Sequence, residues 1–305
     1  MIKEENLLFP YHKSLSPNFA MKNIHILVLG INGMVGSTVF RYLKKQPKLI
    51  IHGTIRNKTT SKNNIFLFDA KSNIEKLKKI IVNKKIDYII NCIGVNDKAE
   101  QIEKLTYVNA LFPHLLENLA KESKIKIIHI STDAVFKELT QTVTESSQTS
   151  PEDIYGTSKL LGETQSINAI TFRTSFVGFD KEKHKGILEK ALKEKNAYVG
   201  FANHIWTGCT TLQFAQICCD IIIENKFTKL RKKSSIFHFS PLGPISKYEL
   251  IKIFYKLIDQ KVTIKKSSLK KRIRILETNF AEDIKLERYI LSPKKALEQL
   301  ISFEN

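Results

Sequence analysis

Tyr155-Gly156-Thr157-Ser158-Lys159 sets a phenol and an ammonium four residues apart, so on a helix both project from one face. That pairing suits proton transfer. An unperturbed phenol, with a pKa of about 10, holds its proton too tightly to exchange it readily at working pH. A neighbouring cation favours the phenolate, and Lys159 is expected to bring the Tyr155 pKa down. The Y-x-x-x-K spacing recurs by chance, so its context must carry the argument. Ser131-Thr132-Asp133 follows the apolar run 127–130 and offers hydroxyls that can polarise a carbonyl oxygen. Neighbouring strand residues face opposite ways, so one of Ser131 and Thr132 reaches such a site, not both. Asn109, in Val108-Asn109-Ala110, is placed either to hold a water or backbone carbonyl behind Lys159 or to satisfy an irregular helix.

Gly30-Ile31-Asn32-Gly33-Met34-Val35-Gly36 follows the apolar run 26–29 and opens an amphipathic helix. In that setting a glycine triplet reads as a dinucleotide-binding turn. Gly30 allows the tight turn, Gly33 removes a side chain where pyrophosphate approaches, and Gly36 lets helix pack on strand. The helix start supplies free N–H groups and a positive dipole end. At the close of the second strand, Thr54-Ile55-Arg56-Asn57-Lys58 has no acid to bond a ribose 2′-hydroxyl. Arg56 can instead stack on adenine and pair with a 2′-phosphate, which favours NADP(H) and leaves NAD(H) compatible. Asp69, beyond the third strand, either accepts a bond from the adenine amino group or belongs to an ordinary loop.

These groups need a scaffold, and the chain from residue 24 supplies one. Short apolar runs at 24–29, 50–55, 65–68, 88–92, 125–130 and 169–173 alternate with helical stretches at 34–45, 74–83, 99–122 and 154–166. That alternation predicts an α/β fold with a doubly wound parallel Rossmann sheet, which binds ligands beyond the carboxyl ends of its strands. After Arg173 the pattern loosens to 186–195, 198–201, a helix at 212–223, a strand at 236–239 and a helix at 247–259, a smaller mixed α/β C-terminal substrate lobe. The expected division is 1–20 as an N-terminal extension, or a start assigned too early, since Met21 directly precedes the first strand. Residues 21–175 form the dinucleotide-binding domain and 176–305 the substrate lobe, with part of 205–235 open to returning to the first domain. Trp206, the single tryptophan, stands just before the helix that Thr210 or Thr211 caps, and either stacks on a sugar or base or packs in the core. Arg173 ends the sixth strand as an ion-pair partner or a substrate contact; His184 and Lys185 meet a diphosphate or remain solvated.

With 305 residues, 42% hydrophobic and 26% charged, the chain exceeds any mini-protein scaffold and lacks the composition of disorder. Its net charge of +19 is spread through every segment, without aromatics interleaved, which argues against nucleic-acid binding and for a field that attracts a diphosphate-bearing substrate and cofactor. The four cysteines show no C-x-x-C spacing, so neither a metal site nor a disulfide framework is expected. No apolar run approaches the roughly 20 residues that span a bilayer; a cytoplasmic protein with no membrane partner is expected, and a homodimer is compatible.

The segments GINGMVG, NCIG, VNA, ISTDAVF, YGTSKLLGE and FRTSFVG, in this order over residues 24–225, resemble the extended short-chain dehydrogenase/reductases, most closely the dTDP-4-dehydrorhamnose reductase branch. The resemblance implies a catalytic triad of Thr132, Tyr155 and Lys159. It implies cofactor contacts from Gly30, Asn32, Gly33, Met34, Val35, Gly36, Arg56, Asp69, Cys92, Gly94, Asn109, Tyr155 and Lys159, and substrate contacts from Ser131, Asp133, Arg173 and Trp206. The implied reaction is hydride transfer from reduced nicotinamide to the C4 ketone of a nucleotide-linked 4-keto-6-deoxyhexose in deoxysugar and polysaccharide biosynthesis. Tyr155 would donate the proton, Thr132 would polarise the ketone, and Lys159 would also hold the nicotinamide ribose. Two departures bear on the substrate: Ala134 stands where rhamnose-forming members commonly carry tyrosine, and the loop after Phe136 lacks the usual Asp-Gly turn. The same fold also serves nucleotide-sugar epimerases and dehydratases with tightly held NAD, though Asp133 is followed by Ala134 rather than a second acid. It further serves a regulatory role, as in the β subunit of methionine adenosyltransferase.

Overall fold

The computed structural model describes residues 23–57, 64–96, 102–137, 142–182, 184–269 and 271–305, so the expected extension 1–20 lies outside the described residues. In chain order the strands are β1 (Ile24–Leu29), β2 (Leu49–Ile55), β3 (Ile65–Leu67), β4 (Tyr88–Asn91), β5 (Lys126–Thr132), β6 (Thr142–Val143) and β7 (Ala169–Thr174). Then come β8 (Phe176–Val177), β9 (Ala197–Phe201), β10 (His204–Thr210), β11 (Ile236–His238), β12 (Leu242–Ser246), β13 (Thr263–Ser267) and β14 (Arg272–Leu276). The helices are α1 (Met34–Lys44), α2 (Ile74–Lys84), α3 (Ile102–Leu105), α4 (Phe112–Ser123), α5 (Ile154–Leu161) and α6 (Ile187–Lys193). They continue as α7 (Thr211–Ile223), α8 (Phe227–Lys233), α9 (Lys247–Leu257), α10 (Ala281–Ile284) and α11 (Pro293–Glu304).

A seven-stranded sheet runs β11-β7-β5-β4-β1-β2-β3, with every neighbouring pair parallel. Its strands are apolar on both faces because helices cover both. Leu27, Leu29, Ile89 and Ile127 pack with Leu77 of α2 and Leu116 of α4, while Ile26, Val28, Ile90 and Ile128 pack with Val39 of α1 and Phe214 of α7. The order reverses between β1 and β4, which opens a crevice beyond their carboxyl ends. Gly30 leaves β1 and Cys92 leaves β4 at that crevice.

The second half of the chain does not stand wholly apart. Helix α7 and strand β11 belong to this first body, α7 against α1 and β11 as the outermost strand beside β7. Thr210 caps α7: its hydroxyl accepts from the Gln213 N–H at 3.1 Å while the Gln213 carboxamide accepts from the Thr210 N–H at 2.8 Å. The smaller mixed lobe holds a sheet of order β12-β10-β14-β6, with β8 also on β10, and a separate β13-β9 pair. Trp206 therefore lies within strand β10 rather than in a connection. Among the described residues no helix is long and apolar enough to cross a membrane.

The helix expected at 154–166 stops at Leu161. The Gly162 N–H turns back to the Ser158 and Lys159 carbonyls, both at 3.2 Å. Gly162 also lies so close under the Asn109 carbonyl that a Cβ there would overlap it.

Candidate functional site

Strand β1 delivers Gly30 into a left-handed turn, φ +78°. A Cβ on Gly36 would overlap the Gly30 carbonyl, so the first turn of α1 can close against β1 only with glycine there. The Gly30 N–H donates to Thr54 Oγ1 at 3.1 Å and the Gly33 N–H to the Gly30 carbonyl at 3.1 Å. Helix α1 starts after Gly33 with no side-chain cap and no acid in its first turn. Its leading N–H groups and positive end thus suit an anion, and Asn32, Gly33, Met34 and Val35 are half-buried around them. Arg56 is exposed at the end of β2. Asp69 closes its own loop, its Oδ1 accepting from the Lys71 N–H at 2.8 Å. Cys92 is half-buried after β4, and Gly94 follows with room for a Cβ 3.7 Å from Asn109 Oδ1.

Strand β5 ends in Thr132, whose hydroxyl caps the short turn Asp133–Val135. Thr132 Oγ1 accepts from the Ala134 N–H at 3.2 Å and donates to Asp133 Oδ1 at 3.0 Å. Tyr155, in the first turn of α5, stands near enough to the Thr132 hydroxyl for that group to favour its ionised form. Helix α5 comes that near because Gly156 faces the Ala134 carbonyl, where a Cβ would overlap the oxygen. Asp153 caps the helix, its Oδ1 accepting from the Gly156 N–H at 2.8 Å. One turn on, buried Lys159 donates from Nζ to the Ile130 carbonyl at 2.5 Å.

Burial governs the acids and bases of this cluster. The Tyr155 phenol is pushed up to about 12, by burial first, with Asp133 and Asp153 acting the same way and Thr132 and Arg274 opposing. The expectation that Lys159 lowers this value is overturned, because desolvation outweighs any gain and the ammonium is engaged with Ile130. Burial brings Lys159 itself down to about 8, against the pull of Glu163. Burial also raises the Asp133 carboxyl, opposed by Arg274, the Thr132 hydrogen bond and Lys247.

Ser131 points to the other side of β5, as alternation requires, and its hydroxyl donates to Glu163 Oε1 at 2.7 Å. Arg173 holds the same carboxylate from Nε at 2.8 Å and Nη2 at 2.7 Å, with its guanidinium 5.2 Å from the centre of the Phe136 ring. Ser131 and Arg173, expected among the substrate contacts, both bond the buried Glu163 carboxylate, which for Arg173 is the ion-pair alternative. Asn109 sits in a π-helical turn, Thr106–Leu111, between α3 and α4. Its Nδ2 donates to the Val95 carbonyl at 2.8 Å and to Ser158 Oγ at 3.1 Å, and its Oδ1 accepts from the Val95 N–H at 2.9 Å. It ties the loop after β4 to the helix turn that carries Lys159.

A cavity of about 480 Å³ connects the two bodies, with Met34 of the glycine turn and Asp133 of the hydroxyl cluster both in its wall. Trp206, 8% exposed, lines it too, and its indole Nε1 has no hydrogen-bond partner among the described residues. Lys190, Lys247, Arg272 and Arg274 also line it, against the single carboxylate of Asp133. Lys247 is held below its ordinary value by burial first and then by Arg272, with Arg274 and Lys190 adding to the effect and Asp133 opposing it. Cations that repel one another around a half-open space favour an anionic occupant.

A sequence model of the RmlD substrate binding domain matches residues 24–277. The chain belongs to that family. A probable low-salt glycan biosynthesis reductase, Agl14, of Haloferax volcanii is 30% identical over 162 residues, 50% of this chain and 54% of that protein. A dTDP-4-dehydrorhamnose reductase of Mycolicibacterium smegmatis is 34% identical over 143 residues, 45% of this chain and 40% of that protein. The chain thus spans about half the length of the curated relatives it matches. Among solved structures, the dTDP-4-dehydrorhamnose reductase of Bacillus anthracis in complex with NADP superposes at a TM-score of 0.72 and 20% identity, over 93% of this chain and 99% of the other. The dTDP-glucose 4,6-dehydratase of the same organism in complex with NAD gives 0.71 at 16% identity, over 92% and 96%.

In this member of the RmlD family the sequence reading missed Glu163, Lys190, Lys247, Arg272 and Arg274. The alternating run Arg272-Ile273-Arg274-Ile275-Leu276 carried a strand signal that would have set both arginines on one face. Nothing local in the sequence pairs Glu163 with Arg173.

Proposed function

We propose that this RmlD-family chain is an NADP(H)-dependent oxidoreductase that reduces the C4 ketone of a nucleotide-linked 4-keto-6-deoxy sugar. The observation that carries it is a cavity with Met34 of the glycine turn at one side and Asp133, just after β5, at another, and with four cations in its wall. The cradle left by Gly30, Gly33 and Gly36, and the uncapped start of α1, fit a pyrophosphate. Arg56 takes a 2′-phosphate, and Lys159 reaches the ribose hydroxyls beside the nicotinamide. Bound there, the reduced coenzyme supplies the hydride.

The rest of the chemistry belongs to the chain's own side chains. The Thr132 and Tyr155 hydroxyls converge on the position of a ketone oxygen, and Tyr155 gives that oxygen its proton. Lys190, Lys247, Arg272 and Arg274 receive the diphosphate of the substrate, and Trp206 offers a flat face and an indole N–H to its sugar or base. With Ala134 in place of a second acid beside Asp133, the cluster suits reduction better than dehydration. The test is NADPH oxidation, followed by loss of absorbance, with a panel of 4-keto nucleotide sugars; consumption with one and not with its 4-hydroxy counterpart is expected. No consumption across the panel defeats the reading.

A further inference from the structure

The Glu304 side chain, in the last turn of α11, is 6% exposed and gathers donors from separate parts of the chain. From α1, Thr38 donates its hydroxyl to Glu304 Oε1 at 3.1 Å, and Arg41 forms an ion pair with the same oxygen. From the segment after β8, Lys181 Nζ reaches Glu304 Oε2 at 3.0 Å and the Glu304 carbonyl at 3.1 Å. Phe303, beside it, adds to the same junction: the Arg41 guanidinium stands 5.0 Å from its ring centre and the Lys45 ammonium 4.7 Å.

The pieces that Glu304 joins are the pieces that enclose the cavity. Helix α1 begins at the glycine turn, and its first residue, Met34, stands in the cavity wall together with Gly178, three residues before Lys181. A Cβ on Gly178 would overlap Thr211 and come within 3.1 Å of Met34 Cγ, so this segment sits directly on α7 and the glycine turn. Thr38 Oγ1 in turn lies 3.1 Å from Thr211 Oγ1. Past Lys181 the chain turns back, with the His184 N–H donating to the Asp180 carbonyl at 2.9 Å, and Lys193 of α6 donates to the His184 carbonyl at 3.2 Å. Helix α6 carries Lys190 into the same cavity.

We propose that Glu304 is a latch that seats the cavity wall from Gly178 to Lys181 against α1, and so sets the shape of the pocket for the nucleotide-linked sugar. The substrate named here rests on the reductase reading. Among the described residues between β8 and α6 there is no helix or strand, so contacts at the ends of this segment decide where it lies. A carboxylate suits the task, because it can only accept and every group turned towards it is a donor. Neutralising it leaves Arg41 and Lys181 without the negative charge that draws them together. Helix α1 keeps its place without the latch, since Val39 packs it on the sheet, whereas the Lys181 side chain is 60% exposed and has little else to hold it. The wall is therefore the part that moves, and the glycine turn is the part that stays. Glu304 acts through Lys181 and is a positioning residue.

The single tryptophan reports on this wall without any ligand, since Trp206 lines the cavity and shares an apolar cluster with Val177 and Phe179. In Lys181→Met and in Glu304→Gln, quenching of the Trp206 emission by acrylamide should rise at least about twofold. The double variant should be quenched no more than the stronger single variant, because both changes release one contact. The KM for the 4-keto nucleotide sugar that the wild type reduces should rise about three- to tenfold, while kcat and the Kd for NADPH stay within about twofold. A merely structural Glu304 would lower the urea midpoint and leave quenching and KM where they were, and that result overturns the latch. Quenching that rises in Glu304→Gln but not in Lys181→Met overturns it too, as does NADPH affinity lost in step with KM. If the wild type reduces no ketone of the panel, the reductase reading fails, and the quenching comparison still decides the latch.

Discussion

The Arg173 guanidinium grips the Glu163 carboxylate by two parallel hydrogen bonds, at 2.8 and 2.7 Å, with side chains only 5% and 4% exposed. Glu163 lies just past α5, Arg173 on β7, and Ser131, the third partner, on β5. The pair therefore fixes the segment behind Tyr155 and Lys159 to the sheet whose edge carries Thr132. Removing one partner leaves the other charge buried without compensation, so Glu163→Gln should cost about 3–5 kcal/mol of stability. Urea unfolding would show this as a lower midpoint at unchanged m-value; a loss below about 1 kcal/mol would mean the pair is not buried as described.

Gly36→Ala sets two effects against each other. Helix propensity alone favours alanine by about 1 kcal/mol, yet the added Cβ would overlap the Gly30 carbonyl. The contact is with backbone that cannot swing away, so it should dominate. Affinity for NADPH, read by fluorescence titration, is expected to weaken at least about tenfold, or about 1.4 kcal/mol. Unchanged affinity would show that the turn is not the pyrophosphate cradle.

Lys159 couples function to stability with a definite sign. Its value falls from 10.5 to about 8 on folding, because burial disfavours the ammonium. Between those values the unfolded chain binds more protons, so this group makes stability rise with pH across that window, and below about 8 its buried charge counts against the fold. Lys159→Met should therefore raise stability at pH 7 by about 1–3 kcal/mol and flatten the rise towards pH 10, while weakening NADPH binding and abolishing turnover. Urea midpoints at both pH values, with NADPH titrations alongside, check it.

Arg56 stands exposed at the end of β2. If it takes the 2′-phosphate, Arg56→Ala should lower the preference for NADPH over NADH at least about tenfold, the energy of one well-made charged contact, through a higher KM for NADPH alone. Stability should change by less than about 0.5 kcal/mol. An equal loss with both coenzymes would move the adenosine site elsewhere.

The parallel sheet was legible because each of its strands is a short run apolar on both faces, as at Ile26-Leu27-Val28-Leu29, set off by helices of clear period. The glycine turn was legible because its spacing and its setting agree. What escaped was decided by distance in sequence. Strand β14 alternates arginine with isoleucine inside a lysine-rich stretch, a short signal that is completed by parallel pairing with β10 at His204, Ile205 and Trp206 and with β6 at Thr142 and Val143. Helix α5 ends at Gly162, which lies close under the Asn109 carbonyl, a contact no local pattern announces. The direction of the Tyr155 shift was misjudged for a related reason: spacing reveals the nearby lysine but neither the burial of Lys159 nor the desolvation of the half-buried Tyr155 phenol.

The most direct measurement is turnover of Tyr155→Phe against the wild type, with NADPH and the panel of 4-keto nucleotide sugars. The variant keeps the ring and loses only the proton that the ketone oxygen is to receive. Wild type should oxidise NADPH with at least one ketone, and Tyr155→Phe should lose about 100-fold or more in kcat while binding NADPH as the wild type does. A variant that turns over at the wild-type rate would contradict the account.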